Sequence, residues 1–203
     1  MSSIVRLTGR QPSLAQRAFV PALCGVLVKS FEPPTIRLLL GSDAAAYQRL
    51  RVRGLAEHPL AFTSSVDEEA ARPLAWAVQR LSPNAQRPHD FFLGAFSGAE
   101  LLGQLGLEGR YRPKERHNAT LLGMYVASEA AGCGVGQALL EALLARARAL
   151  TELEQIELTV TEGNRRAQAL YERNGFRVWG VRPQAVKLDG QAYAKIHMVC
   201  RLR

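Results

Sequence analysis

The sequence predicts an α/β (α+β) domain whose sheet is mixed, mostly antiparallel, and covered by helices on both faces. Three observations carry this. Strand-like and helix-like segments follow one another in the order β-α-α-β-β-β-α-β-α-β-β. Two turn signals, Ser97-Gly98-Ala99-Glu100 and Asp189-Gly190, each join strand-like runs and so require antiparallel neighbours. Helical runs separate the other strands, and such crossovers lay helices on the sheet faces.

The regular pattern starts at Thr35. Thr35–Leu40 reads as a short strand, Gly41-Ser42-Asp43 offers an N-cap, and Ala44–Leu55 reads as a helix. Ser65-Val66-Asp67-Glu68 has the form of a capping box, and Pro73 should kink or split the helix it opens before Leu74–Leu81. Phe91–Phe96 and Leu101–Leu107 flank the first turn signal, and Gly109–Asn118 is a polar loop of alternating charge. Thr120–Val126 is an apolar strand that meets the glycine-rich turn Ala131–Gly136. Val135, Leu139, Leu140, Leu143, Leu144 and Ala147 then recur at helical spacing. Ile156–Val160 reads as a buried strand, Asn164 caps a helix through Arg173, and Asn174-Gly175 ends it. Phe176–Val181 and Ala192–Leu202 close the chain as strands. In the last, Ala194, Ile196, Met198, Cys200 and Leu202 form the apolar row, against Tyr193, Lys195, His197, Val199 and Arg201.

Residues 1–34 stand apart. They hold Arg6, Arg10, Arg17 and Lys29, no acidic residue before Glu32, and a break at Pro33-Pro34. An attached extension and an acid-poor targeting peptide both fit. Val5–Pro21 also resembles the entry strand of hexapeptide-repeat carbonic-anhydrase-like proteins, although one coil of such a repeat buries no core. The reading favoured is a dispensable extension of a domain spanning residues 35–203.

The chain has 203 residues, enough for one domain with a proper core. Its longest apolar runs fall short of the roughly 20 residues of a membrane span. Its formal charge of +8 comes mostly from arginine. The basic residues are scattered rather than gathered with aromatics, which argues against nucleic acid and suits a phosphate-bearing cofactor. Cys24, Cys133 and Cys200 have neither disulfide nor metal spacing, so a reducing, cytoplasmic compartment and no metal are expected.

The informative stretch is Leu121-Leu122-Gly123-Met124-Tyr125-Val126-Ala127-Ser128-Glu129-Ala130-Ala131-Gly132-Cys133-Gly134-Val135-Gly136. A strand runs into a turn with glycine at every second position, and a helix starts at once. Such glycines remove side chains where backbone N–H groups approach an anion, and the helix N-terminus adds its own amides. A P-loop would need Lys and Ser/Thr after Gly136, where Gln137-Ala138 stand. A dinucleotide fingerprint would need G-x-G-x-x-G at the start of the fold, and the spacing is G-x-G-x-G late in it. A turn that merely packs a helix on a strand also fits the glycines alone.

Two motifs together go further. Ala131-Gly132-Cys133-Gly134-Val135-Gly136 resembles the Arg/Gln-x-x-Gly-x-Gly/Ala signature of the GNAT superfamily of N-acyltransferases, with Ala131 in the place of Arg or Gln. Asn164-Arg165-Arg166-Ala167-Gln168-Ala169-Leu170-Tyr171-Glu172-Arg173-Asn174-Gly175-Phe176 is similar to its N-x-x-A-x-x-x-Y-x-x-x-G-F signature. The motifs stand in the superfamily's order with one strand between them, and the resemblance covers Thr35 to Leu202.

The resemblance implies the GNAT fold, acetyl-CoA as co-substrate, and direct attack of an amine on the thioester with both substrates bound. It implies that Met124, Tyr125 and Val126 hold the pantetheine arm through the strand backbone. Ala131, Gly132, Cys133, Gly134, Val135, Gly136 and Gln137 would hold the diphosphate, and Asn164 the arm. Tyr171 would be the general acid for the departing thiolate; an amphipathic core tyrosine one turn from Ala167 explains it too. The general base is not readable: Glu108, Glu68, Glu69 and His117 are candidates by location. Arg110, Arg112, Lys114, Arg165 and Arg166 are open to the cofactor's 3′-phosphate or to solvent. His58–Glu69 resembles the acceptor-side region of small-molecule acetyltransferases. The expected partner is a small-molecule or protein amine, with neither nucleic acid nor membrane, and a homodimer is a further expectation. The departure at Ala131 keeps a non-catalytic acyl-CoA-binding module as the alternative.

Overall fold

In the computed structural model, which describes residues 34–203, β1 (Thr35–Leu38) leads through a short 3-10 turn into α1 (Ala44–Glu57). α2 (Val66–Ala70) and α3 (Leu74–Leu81) follow, then the meander β2 (Phe91–Ser97), β3 (Glu100–Gly109) and β4 (Asn118–Val126). α4 (Val135–Ala149), β5 (Gln155–Thr161), α5 (Arg165–Arg173) and the hairpin β6 (Arg177–Leu188) and β7 (Gln191–Arg201) complete the chain. The extension expected over residues 1–34 lies outside the described residues but for Pro34.

The strands form a seven-stranded sheet in the order β1-β2-β3-β4-β5-β7-β6. Every neighbour pair is antiparallel except β4 and β5. That parallel pair is registered only from Asn118↔Gln155 to Thr120↔Glu157. Beyond Thr120 the two strands part, and a cleft opens between them.

Helices cover both faces, as the sequence predicts, and two apolar cores result. One packs Leu139, Leu140, Leu143 and Leu144 of α4 on Leu105, Leu107, Ile156 and Met198 of the sheet. The other packs Tyr47 and Leu50 of α1 and Ala77 and Leu81 of α3 on Phe92, Phe96 and Tyr125. Burying one such side chain fully is worth about 1.5–3 kcal/mol. Gly54 lets α1 approach, because a Cβ there would lie 2.7 Å from the Tyr125 ring.

Several expectations are refined. The capping box forms, with Glu68 N donating to Ser65 Oγ at 3.2 Å and Ser65 N to Glu68 Oε2 at 2.6 Å. Asp43 occupies the N-cap position of α1, but its carboxylate accepts from Leu40 N at 2.9 Å and pairs with Arg37 at 2.7 Å instead of capping that helix. Pro73 splits the helix and serves as N-cap of α3. β6 runs to Leu188 rather than Val181: it is an exposed edge strand, irregular between Arg182 and Val186, and so lacks the apolar alternation that marks a strand. Lys195, expected on the polar row of β7, is only 7% exposed.

Candidate active site

β4 borders the cleft with a bulge. Gln104 pairs with Tyr125 and Gly106 with Leu122, so β4 uses one more residue than β3 over the same span. Gly123 takes φ +65° within that bulge, a conformation open to glycine at little cost. The added residue resets the alternation of side chains. Leu122 and Tyr125 pack beneath α1, whereas Leu121, Met124 and Val126 pack toward α4.

The cleft has a volume of about 340 Å³. Met124, Asn164, Ala167 and Tyr171 line it, together with Thr120–Met124 of β4 and Leu158–Thr161 of β5. Tyr171 is 6% exposed, with its ring edge-on to Phe176 at 5.6 Å. Its hydroxyl donates to Met124 Sδ at 3.2 Å. Burial pushes its pKa up, so the phenol keeps its proton at neutral pH. Asn164 caps α5: its Oδ1 accepts from Ala167 N at 3.1 Å.

The glycine bend adjoins β4. A Cβ on Gly136 would stand 3.1 Å from Met124 Cε and 3.7 Å from Val126 Cγ2. Gly132 and Gly134 have φ of +87° and +79°, and among the described residues no atom lies within 4 Å of where a Cβ on either would be. Gly134 is the N-cap of the 15-residue helix α4, and no side chain caps that end. The amides of Val135, Gly136 and Gln137 therefore head the helix without intrahelical acceptors. Bare amides, the positive end of the helix dipole and free space fit a diphosphate. The turn before the bend is clamped to α1: Arg53 Nη1 and Nη2 donate to Glu129 Oε1 and Oε2 at 2.8 and 2.6 Å, and Nη2 to Ser128 Oγ at 2.8 Å.

Other residues named from sequence have engaged side chains. Tyr125 turns away from the cleft, its hydroxyl donating to Glu57 Oε2 at 2.7 Å. Val135 is buried against β3, its Cγ1 3.2 Å from the Cβ position of Gly103. Gln137 and Asn174 exchange two hydrogen bonds of 3.0 Å, which tie the first turn of α4 to the end of α5. For Tyr125, Val135 and Gln137 the backbone is what is left to offer. Cys133 is exposed at the bend, next to Ala131 and Gly132.

None of the four base candidates lines the cleft. Glu108 pairs with Arg80 at 2.6 Å, Glu68 serves the capping box, and Glu69 pairs with Arg51 at 2.8 Å. His117 lies beside Asn118, where β4 and β5 are still joined. Instead the structure brings in Arg51, Thr161 and Lys195, which sequence reasoning missed. No local pattern marks them: they come from α1, β5 and β7, and only the packed sheet assembles them.

An extended arm needs room between parted strands, an anion seat on one flank and an acid buried along the way. Transfer from an acyl-CoA makes those demands, and the N-acyltransferases that use it are the class this fold and site define. The Acetyltransferase (GNAT) family model matches residues 53–176, and the chain belongs to that family.

The chain is 30% identical over 171 residues to a mycothiol acetyltransferase of Salinispora arenicola, covering 84% of this chain and 50% of that one. It thus spans about half the length of the curated relatives it matches. Among solved structures, an acetyltransferase of the GNAT family from Streptococcus pneumoniae superposes with a TM-score of 0.75 at 22% identity, over 83% of this chain and 98% of that one. A phosphinothricin acetyltransferase from Sinorhizobium meliloti in complex with acetyl-CoA gives 0.72 at 20%, over 83% and 88%.

Proposed function

We propose that this chain acetylates the primary amine of a small molecule, with Tyr171 as the acid that protonates the departing thiolate. The observation that carries the reading is the buried Tyr171 hydroxyl in the cleft, 3.2 Å from Met124 Sδ on the strand beside the uncapped N-terminus of α4. Acetyl-CoA supplies the activated acyl group and a thiolate leaving group. The amides of Gly132 and of Gly134–Gln137 hold its diphosphate, while the Cys133 amide donates to Ala130 O at 3.3 Å, and the bulged backbone of Met124–Val126 aligns its arm by strand-like hydrogen bonds. Burial strengthens each polar contact and excludes competing water. A small acceptor suits a cleft of about 340 Å³ better than a protein side chain does. The free thiols Cys133 and Cys200 suit the cytoplasm.

The test combines calorimetry of acetyl-CoA binding with thiol release against a panel of primary amines. Micromolar binding and amine-dependent release are expected. Binding without release on any amine would support a non-catalytic acyl-CoA-binding module instead.

A further inference from the structure

The half of the cleft beside α1 holds a lysine whose charge no acid among the described residues offsets. Arg51, Lys195 and Tyr171 line the cleft, and among the described residues no aspartate, glutamate or histidine does. Lys195 is 7% exposed and has only neutral partners: Nζ donates to Thr161 Oγ1 at 2.7 Å and to Ala61 O at 3.3 Å. The Thr161 hydroxyl in turn donates to Leu60 O, which leaves its lone pairs for the lysine. An ammonium has three N–H donors, so one is left over, and the described residues give it no counter-ion. Burial lowers the pKa of Lys195, because taking the ammonium out of water disfavours its charged form.

Arg51 adds a second free donor. Its Nη2 donates to Glu69 Oε1 at 2.9 Å and its Nε stands 2.8 Å from Oε2. Its Nη1 makes no hydrogen bond among the described residues and lies 3.6 Å from where a Cβ on Gly123 would be, at the bulge of β4. Glu69 is already shared with Arg72 at 3.4 Å, so it cannot also neutralise Lys195.

An amine without an anionic group would enter such a site as a second cation beside Lys195. We propose that the acceptor is a small amine that also carries an oxyanion, a carboxylate above all, and that Lys195 Nζ and Arg51 Nη1 receive that group. This rests on the acetyl-transfer reading and narrows it. Two cationic donors lining one cleft discriminate strongly, because an analogue without the anion leaves them unpaired. The side-chain amine of a protein lysine brings no such group into the cleft.

The experiment has two arms, both with the full chain. In the first, thiol release is measured for α-amino acids, their primary amides and an α-aminophosphonate. An acid-over-amide preference of at least 10-fold in kcat/KM is expected. It should fall to less than threefold in Lys195→Met and survive in Lys195→Arg, which keeps the charge. In the second arm, N-acetylated amino acids and their amides are titrated into the CoA-loaded protein by calorimetry. The acid should bind at least 10-fold more tightly than the amide, and Lys195→Met should remove the difference. A phosphonate preferred over the amide supports an oxyanion site as well. Equal handling of acid and amide in both arms overturns the proposal, as does an acid preference that survives in Lys195→Met. Loss of kcat on acids and amides alike in Lys195→Arg, with the preference intact in Lys195→Met, would make Lys195 a proton acceptor instead. The second arm reads the anion site without turnover. Failure of acetyl transfer and failure of anion recognition are therefore told apart.

Discussion

The Tyr171 hydroxyl donates to the sulfur of Met124 at 3.2 Å, joining α5 to β4 across one flank of the cleft. A thioether is a weak acceptor, so this bond is easily exchanged for one to the sulfur of a departing thiolate. General-acid groups contribute about 10²–10⁴-fold. Tyr171→Phe should lower kcat by about 100-fold while the Kd for acetyl-CoA changes less than threefold. Steady-state kinetics with calorimetry checks both. An unchanged kcat removes Tyr171 from the proton path.

Gly134 stands at the head of α4 with φ +79° and open space around its Cβ position. An alanine there has room, yet it takes on left-handed strain of about 1–2 kcal/mol and places a methyl where an anion would approach. Gly134→Ala should lower Tm by a few degrees and weaken acetyl-CoA binding by at least 10-fold. Thermal melts with and without acetyl-CoA measure the two effects separately.

Gly54 sits inside α1, where a Cβ would lie 2.7 Å from the Tyr125 ring. Helix propensity alone would make alanine better by about 1 kcal/mol. Overpacking against β4 should outweigh that, so Gly54→Ala is expected to destabilise by about 1–3 kcal/mol. Denaturant titration of both proteins decides the sign.

The Arg53–Glu129 clamp sets a pH dependence. The hydrogen bond from Arg53 holds the Glu129 carboxyl down at about 2. A glutamate in the unfolded chain titrates near 4.3. The clamp's contribution is therefore fully present above roughly pH 4.3 and is lost as pH falls through about 2. Glu129 and Arg53 are largely exposed, so the effect is small and screened by salt. Arg53→Ala should unfold at a higher pH than the parent in low salt, and the gap should narrow at about 1 M salt. Acid titrations followed by circular dichroism measure this.

Much of the fold was legible in local chemistry. The row Val135, Leu139, Leu140, Leu143, Leu144 and Ala147 marks α4, and the Asp189-Gly190 turn joins β6 and β7. Ser65 and Glu68 cap α2 from within four residues. These features read well because helix periodicity, turns and caps are satisfied by neighbours in the chain. The glycine bend and Tyr171 were also legible, each within a short motif. The outer half of β6 was not, because an edge strand that buries little carries little pattern.

The chain by itself therefore fixed which segments become helix and strand, and which backbone amides head α4. Tertiary structure decided the rest: the parting of β4 from β5 after Thr120, the bulge that turns Met124 toward Tyr171, and the burial of Lys195 beside Thr161. The physical reason is range. A capping bond or an amphipathic period is settled over a few residues. The surroundings of Lys195 depend on Ala61 and Thr161, which come near it only when the sheet closes.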